Sequence, residues 1–226
     1  MAAAASLLLL ADGRFPAGGH AHSGGAEAAV RSGAVHDAAS MAAFLGSRLR
    51  TAGLTTAALA AAACAALRTE PWPLLARLEE AADARTPSAA QRAVSRKLGR
   101  QLLRAGRAAW PEPVLAELAA RYPGGAHQPL VLGAVGAVAG LGPGEVAAVA
   151  AYESVNGPAT ACVRLLGLDP YQVAAELARL APELDAVAAQ AAVTADDLAL
   201  LPAASAPLLD IYAEQHSSWK VRLFAS

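Results

Sequence analysis

Apolar positions along this chain recur at three- and four-residue intervals and almost never alternate, the pattern of helices that bury one face. Leu7 to Leu10 predict a short apolar helix. Asp12 to Glu27, DGRFPAGGHAHSGGAE, then breaks the rhythm. Pro16 fixes its own φ and lacks an amide proton, and Gly18, Gly19, Gly24 and Gly25 tolerate angles other residues avoid, so this segment reads as a shaped loop. A loop of this kind, carrying His20, His22 and Ser23 and ending in Glu27, is a better seat for function than the alanine-rich helices around it. A second short helix follows from about Gly25 to Ser32. Asp37 is suited to cap a helix that sets Met41, Phe44, Leu45 and Leu49 on one face. Gly53 predicts an interruption, after which Leu54 to Arg68 is apolar nearly all round and belongs at the centre of a bundle.

Pro71 and Pro73 restart the chain in a helix with Leu74, Leu75 and Leu78 inside and Glu79, Glu80 and Asp83 outside. Thr86 followed by Pro87 predicts an N-cap with proline at the first helical position, opening a helix to about Arg107. Along it Val94, Leu98 and Leu102 form an apolar stripe, and Arg92, Arg96, Arg100 and Arg104 a basic one. The basic stripe reads either as a solvated face or as a contact surface for an acidic partner, since arginine's planar fork suits interface ion pairs. Trp110 to Tyr122 predicts a further amphipathic helix. His127 and Pro129 open an apolar one whose Gly133, Gly136 and Gly140 mark close packing against a neighbour. Glu145 to Leu166 should kink or divide at Gly157 and Pro158. Asp169 and Pro170 start a helix running to Pro182, shorter pieces fill Glu183 to Val193 and Thr194 to Leu201, and a last helix spans Pro207 to about His216. The predicted fold class is all-α: a single-domain multi-helix bundle of roughly ten helices over residues 1–226, with no sheet, a functional loop at 12–27 and a C-terminal docking tail at 217–226.

Composition refines this picture. Hydrophobic residues make up 55% of the chain and aromatics 4%, so the core must gain stability from many close alanine-lined contacts rather than from large side chains. A formal net charge of −1 removes the electrostatic ground for a nucleic-acid or anionic-membrane partner. Cys64 and Cys162 stand alone, without a CxxC, as expected of buried free thiols in a reducing compartment. The N-terminal apolar run lacks a basic flank and meets Asp12 and Arg14 at once, which argues against a signal peptide. The runs Leu54 to Leu67 and Pro129 to Leu141 fall short of the roughly 20 residues a membrane span needs, so a cytoplasmic protein is expected.

Two catalytic or metal readings present themselves. His20 and His22 carry imidazoles that bind nickel, zinc or copper, but no acidic or cysteine cluster lies nearby in sequence to complete a site, although Asp12, Glu27 or His36 could fold in. Ala21-His22-Ser23-Gly24-Gly25 is one residue from the GxSxG nucleophile elbow, which needs a strand before it and a sheet around it; here the context is Pro, Gly and helix. No cofactor is expected. The tail SSWKVRLFAS, with Trp219, Leu223 and Phe224, is too apolar to lie free in water and should dock, on a partner or on its own domain.

Phe15-Pro16-Ala17-Gly18-Gly19-His20-Ala21-His22-Ser23-Gly24-Gly25-Ala26-Glu27 resembles the N-terminal signature of the urease accessory protein UreF family, roughly Leu-Pro-x-Gly-x-aromatic-x-Tyr/His-Ser-x-Gly-Leu-Glu. Arg92 to Arg104, RAVSRKLGRQLLR, is similar to that family's arginine-bearing helix, His127-x-Pro129-Leu-Val-Leu-Gly133 to its His-x-Pro stretch, and Arg222-Leu223-Phe224-Ala225-Ser226 to its Arg-Leu-Phe-Arg-Ser terminus. The four matches come in the right order over most of the chain. Departures fall at Phe15, His20, Ala26 and Ala225, and the segment YESVNGPATACVRL is less apolar than the family's. The resemblance implies an all-α, non-catalytic scaffold or chaperone that dimerises, binds UreD (also called UreH) and recruits the GTPase UreG to apo-urease for nickel insertion. It further implies partner-binding roles for Phe15, Pro16, His20, His22, Ser23, Glu27, Arg96, Arg100, Trp219, Arg222, Leu223 and Phe224, with no metal bound by the chain itself. The competing readings are a nickel carrier using His20 and His22, and a hydrolase using Ser23.

Overall fold

A computed structural model describes residues 2–69 and 71–224. Ala225 and Ser226, the end of the expected tail, lie outside the described residues. Ten α-helices form and no sheet does among the described residues: α1 (Ala2–Ala11), α2 (Ala26–Arg31), α3 (Ala38–Ala66), α4 (Pro71–Ala84), α5 (Ala89–Ala109), α6 (Pro113–Arg121), α7 (Gln128–Val138), α8 (Pro143–Leu166), α9 (Pro170–Val193) and α10 (Pro207–Ser217). The all-α bundle is thus as its periodicity predicts.

The C-terminal half of α3 is the axis of the molecule. Ala57, Ala58, Ala60, Ala61, Ala63 and Cys64 are fully buried, and α7, α8 and α9 pack around them. Methyl side chains allow this closeness. On α7, a Cβ added to Gly133 would stand 2.6 Å from the Ala63 Cβ, so the two helices meet almost backbone to backbone. Larger residues, Met41, Leu45, Leu49, Leu75, Leu78, Leu115 and Leu130, fill the space farther out.

Several predicted boundaries move. Gly53 does not interrupt: α3 continues through a π-turn at Leu49–Gly53 into one helix of 29 residues. The glycine serves proximity instead, since a Cβ there would lie 2.7 Å from the Ser154 Oγ of α8. This joined helix is long and apolar enough, by length and composition, to cross a membrane, which its two halves alone are not; 72% of its most apolar window is buried inside the bundle. Asp37 caps it as expected, accepting from the Ser40 amide at 2.8 Å. Ser88, not Thr86, caps α5, accepting from the Gln91 amide at 3.1 Å. Trp110 ends α5 rather than starting α6, and its ring tilts against Phe15 with centroids 6.1 Å apart.

Pro158 and Pro182 lie inside undivided helices, α8 and α9. Proline at 158 cannot bond the Ser154 carbonyl. Arg48 Nε donates to that oxygen instead, at 2.8 Å, so the gap is filled from α3. Pro182 sits on the exposed side of α9, and Ala178, whose carbonyl it leaves without an amide, is exposed as well. Glu79 and Asp83, expected on the outer face of α4, are turned toward α5 and α7 by the ion pairs described next.

Candidate functional site

The 12–27 loop begins at the surface and ends in the core. Asp12 holds the Arg14 guanidinium at 2.7 Å in an exposed clamp. Pro16 and His20 are exposed, Phe15 is half-buried, and a 3-10 turn spans Gly19–Ala21. The chain then dives: His22 and Ser23 are buried, and Gly24 and Gly25, with φ of 57° and 92°, make the left-handed reversal that starts α2. In the first turn of α2 stands Glu27, also buried.

Glu27 is the knot of this corner. Its carboxylate accepts from His216 Nε2 at 2.7 Å, from the Leu223 amide at 2.8 Å and from the Phe224 amide at 3.0 Å. Burial alone would raise its pKa, but the two amides and the imidazole outweigh that and hold it below the ordinary carboxylate range. A single acidic side chain therefore ties the loop, α10 and the tail together. Phe224 is buried at the end of this ladder. Trp219 lies between the His216 ring, at 4.7 Å between centroids, and the Arg31 guanidinium, 4.1 Å above its own centroid. Arg222 reaches the His216 carbonyl at 3.5 Å. The tail thus docks on its own domain as far as Phe224, while Val221 and Leu223 remain 84% and 75% exposed.

The basic stripe of α5 is used mostly within the chain. Arg92 donates to the Thr86 and Pro87 carbonyls, and Arg96 to both carboxylate oxygens of Asp83 at 2.8 Å, with Glu79 3.4 Å from its Nε. His127 completes the clasp: its ring bonds Ser95 Oγ at 2.9 Å and Asp83 at 3.0 Å, and its amide bonds Glu79 at 3.0 Å. Arg96 is accordingly turned inward, whereas Arg100, bonded to the Gly124 carbonyl, and Arg104 remain at the surface. Among the described residues no three His, Cys, Asp or Glu side chains gather as a metal cage. His20 and His22 differ in setting, one exposed and one buried. Among the described residues no sheet surrounds Ser23, so the strand-to-helix elbow of a hydrolase is not formed there.

A family model, UreF, matches residues 35–181. The chain is 47% identical to the urease accessory protein UreF of Mycobacterium sp. (strain JLS) over 98% of both chains. It is 44% identical to that of Mycolicibacterium vanbaalenii and 40% to that of Mycobacterium tuberculosis (strain H37Rv), each over the full length of both. The chain belongs to the UreF family. Its relatives are named as accessory proteins of urease. The family model covers the bundle from α3 to the first half of α9, whereas the loop and tail joined by Glu27 lie outside it and are spanned by the full-length relatives.

Three residues of this UreF corner were not singled out in the sequence: His216, Arg31 and Arg48. A histidine and an arginine at helix ends carry no local signal of a partner nearly 200 residues away. Glu153 of α8 is another; burial pushes its carboxyl up to about 7, against one hydrogen bond from Gln128 Nε2 at 3.2 Å.

Proposed function

We propose that this UreF-family chain is a non-catalytic scaffold of urease maturation, which binds UreD/UreH and through the joint surface recruits UreG to deliver nickel to apo-urease in the cytoplasm. The observation that carries this reading is the Glu27 knot. It brings the two signature segments, Phe15 to Glu27 and Arg222 to Phe224, to one corner of the bundle. A corner of this make-up suits touch rather than turnover. Pro16, His20, Val221 and Leu223 face outward on it, and burying one exposed Leu or Val on a partner is worth roughly 1.5 to 3 kcal/mol before ordering costs. Glu27, Ser23 and Phe224 support that surface from inside, and Arg96 supports it from the α4–α5 clasp, so their part is to hold its shape. Homodimerisation belongs to the same proposal.

Co-purification tests it. Val221→Asp with Leu223→Asp changes side chains that are already in water, so the helical circular dichroism should be unchanged while UreD/UreH and UreG are lost from a tagged pull-down. Full retention of both partners would overturn the role of the tail. Stoichiometric nickel uptake by the isolated chain, abolished by His20→Ala with His22→Ala, would replace the scaffold with a carrier.

A further inference from the structure

A cavity of about 220 Å³ lies between the Ser23–Gly25 turn, α3, the start of α5, the start of α7 and α10. Its lining is rich in donors. Arg48 enters from α3 with its guanidinium packed on the turn: a Cβ added to Gly24 would stand 3.3 Å from both Arg48 Cζ and one terminal nitrogen. Only Arg48 Nε is bonded, to the Ser154 carbonyl; among the described residues neither terminal nitrogen has a hydrogen-bond partner, and no carboxylate pairs with it. Arg48 is half-buried, and desolvation with no carboxylate to offset it pushes the guanidinium down to about 10. The same cavity is lined by Ser23 and Thr55, whose buried hydroxyls, Oγ and Oγ1, also lack a partner among the described residues. Ser23 is 1% exposed and Thr55 7%. The one carboxylate in the lining, Asp210, accepts from the Ser88 amide.

Each buried hydroxyl left unbonded costs about 1 to 3 kcal/mol, and the half-buried Arg48 guanidinium adds a positive charge with no counter-charge beside it. Two buried, unbonded hydroxyls and one half-buried, unpaired guanidinium lining the same cavity ask for an acceptor that is negatively charged and has several oxygens. Arginine's terminal nitrogens and two hydroxyls are the donor set that a planar or tetrahedral oxyanion takes up, by charge-assisted bonds. A volume of this size admits such an ion together with water.

We propose that this cavity is a binding site for a small free oxyanion of the carbonate or phosphate type, held by the Arg48 terminal nitrogens, Ser23 Oγ and Thr55 Oγ1. The site is independent of the scaffold role, because binding is read on the isolated chain.

Isothermal titration and thermal melting of the isolated chain provide the test, with inorganic phosphate and with bicarbonate as probes and chloride holding the ionic strength constant. One saturable site per chain and a rise in Tm with at least one probe, absent with chloride, are expected. Arg48→Gln is made in a Pro158→Ala background, where the backbone amide regained at that position restores the bond to the Ser154 carbonyl, and should weaken Kd at least about tenfold. Ser23→Ala with Thr55→Val keeps volume and should weaken it by a similar factor even if the first variant fails to fold. No saturable site for either probe, a shift equalled by chloride, or undiminished affinity in the Ser23/Thr55 variant would overturn the proposal.

Discussion

Glu27 accepts three hydrogen bonds with one carboxylate, so its replacement isolates what charge contributes to the corner. Glu27→Gln keeps the shape but loses the charge and one acceptor oxygen, and should cost about 2 kcal/mol of tail docking. The check is faster hydrogen exchange at the Leu223 and Phe224 amides. The pH dependence has a definite sign. A carboxyl held below its ordinary value of 4.5 contributes stability that is full above that value and is lost as pH falls through the lowered one, so amide protection should fade only under acid. Glu153 behaves oppositely. Its folded pKa near 7 exceeds 4.5, so the native state loses stability as pH rises through this interval, and Glu153→Gln should stabilise the protein by roughly 2 kcal/mol at pH 8.5 and little at pH 5. Urea midpoints at the two pH values decide it. The loop and tail were legible in sequence by their glycines, proline and aromatic residues. Their joint was not, because a hydrogen bond between residues so far apart leaves no periodic trace in either segment.

Helix contacts here rely on residues without side chains to spare. Gly133→Ala adds helix propensity worth about 1 kcal/mol, but its methyl would press on Ala63 and on the α3 backbone, and overpacking of that kind should outweigh the gain by about 2 kcal/mol. Gly157 of α8 meets nothing within 4 Å, so Gly157→Ala should instead raise stability by about 0.5 to 1 kcal/mol. Denaturant melts of the two single variants, with opposite signs, test the packing. Caps and amphipathic stripes announced most helices, as Asp37 and Asp169 illustrate. Breaks were read less well. Gly53 and Pro158 look like terminators locally, yet one admits the Ser154 hydroxyl and the other has its missing hydrogen bond supplied by Arg48, and both explanations reside on a different helix.

At the scale of the whole molecule, alanine in the centre and leucine around it make one continuous core, in which Cys64 and Cys162 are sealed and their thiols pushed up to about 11 by burial. Neither should react with a thiol-directed dye in the native state beyond the rate of global opening, and both should react at once in denaturant. The all-α class and the absence of a sheet among the described residues were readable from periodicity, because most elements show a helical spacing and no stretch alternates. Which ends of the molecule come together was not. That closure also has a timetable. Glu27 precedes the Leu223 amide by 196 residues, so at a synthesis rate of about 5 to 20 residues per second its carboxylate stays open to water for roughly 10 to 40 s on the ribosome. The knot therefore cannot close before that interval has passed, in whatever order the helices fold.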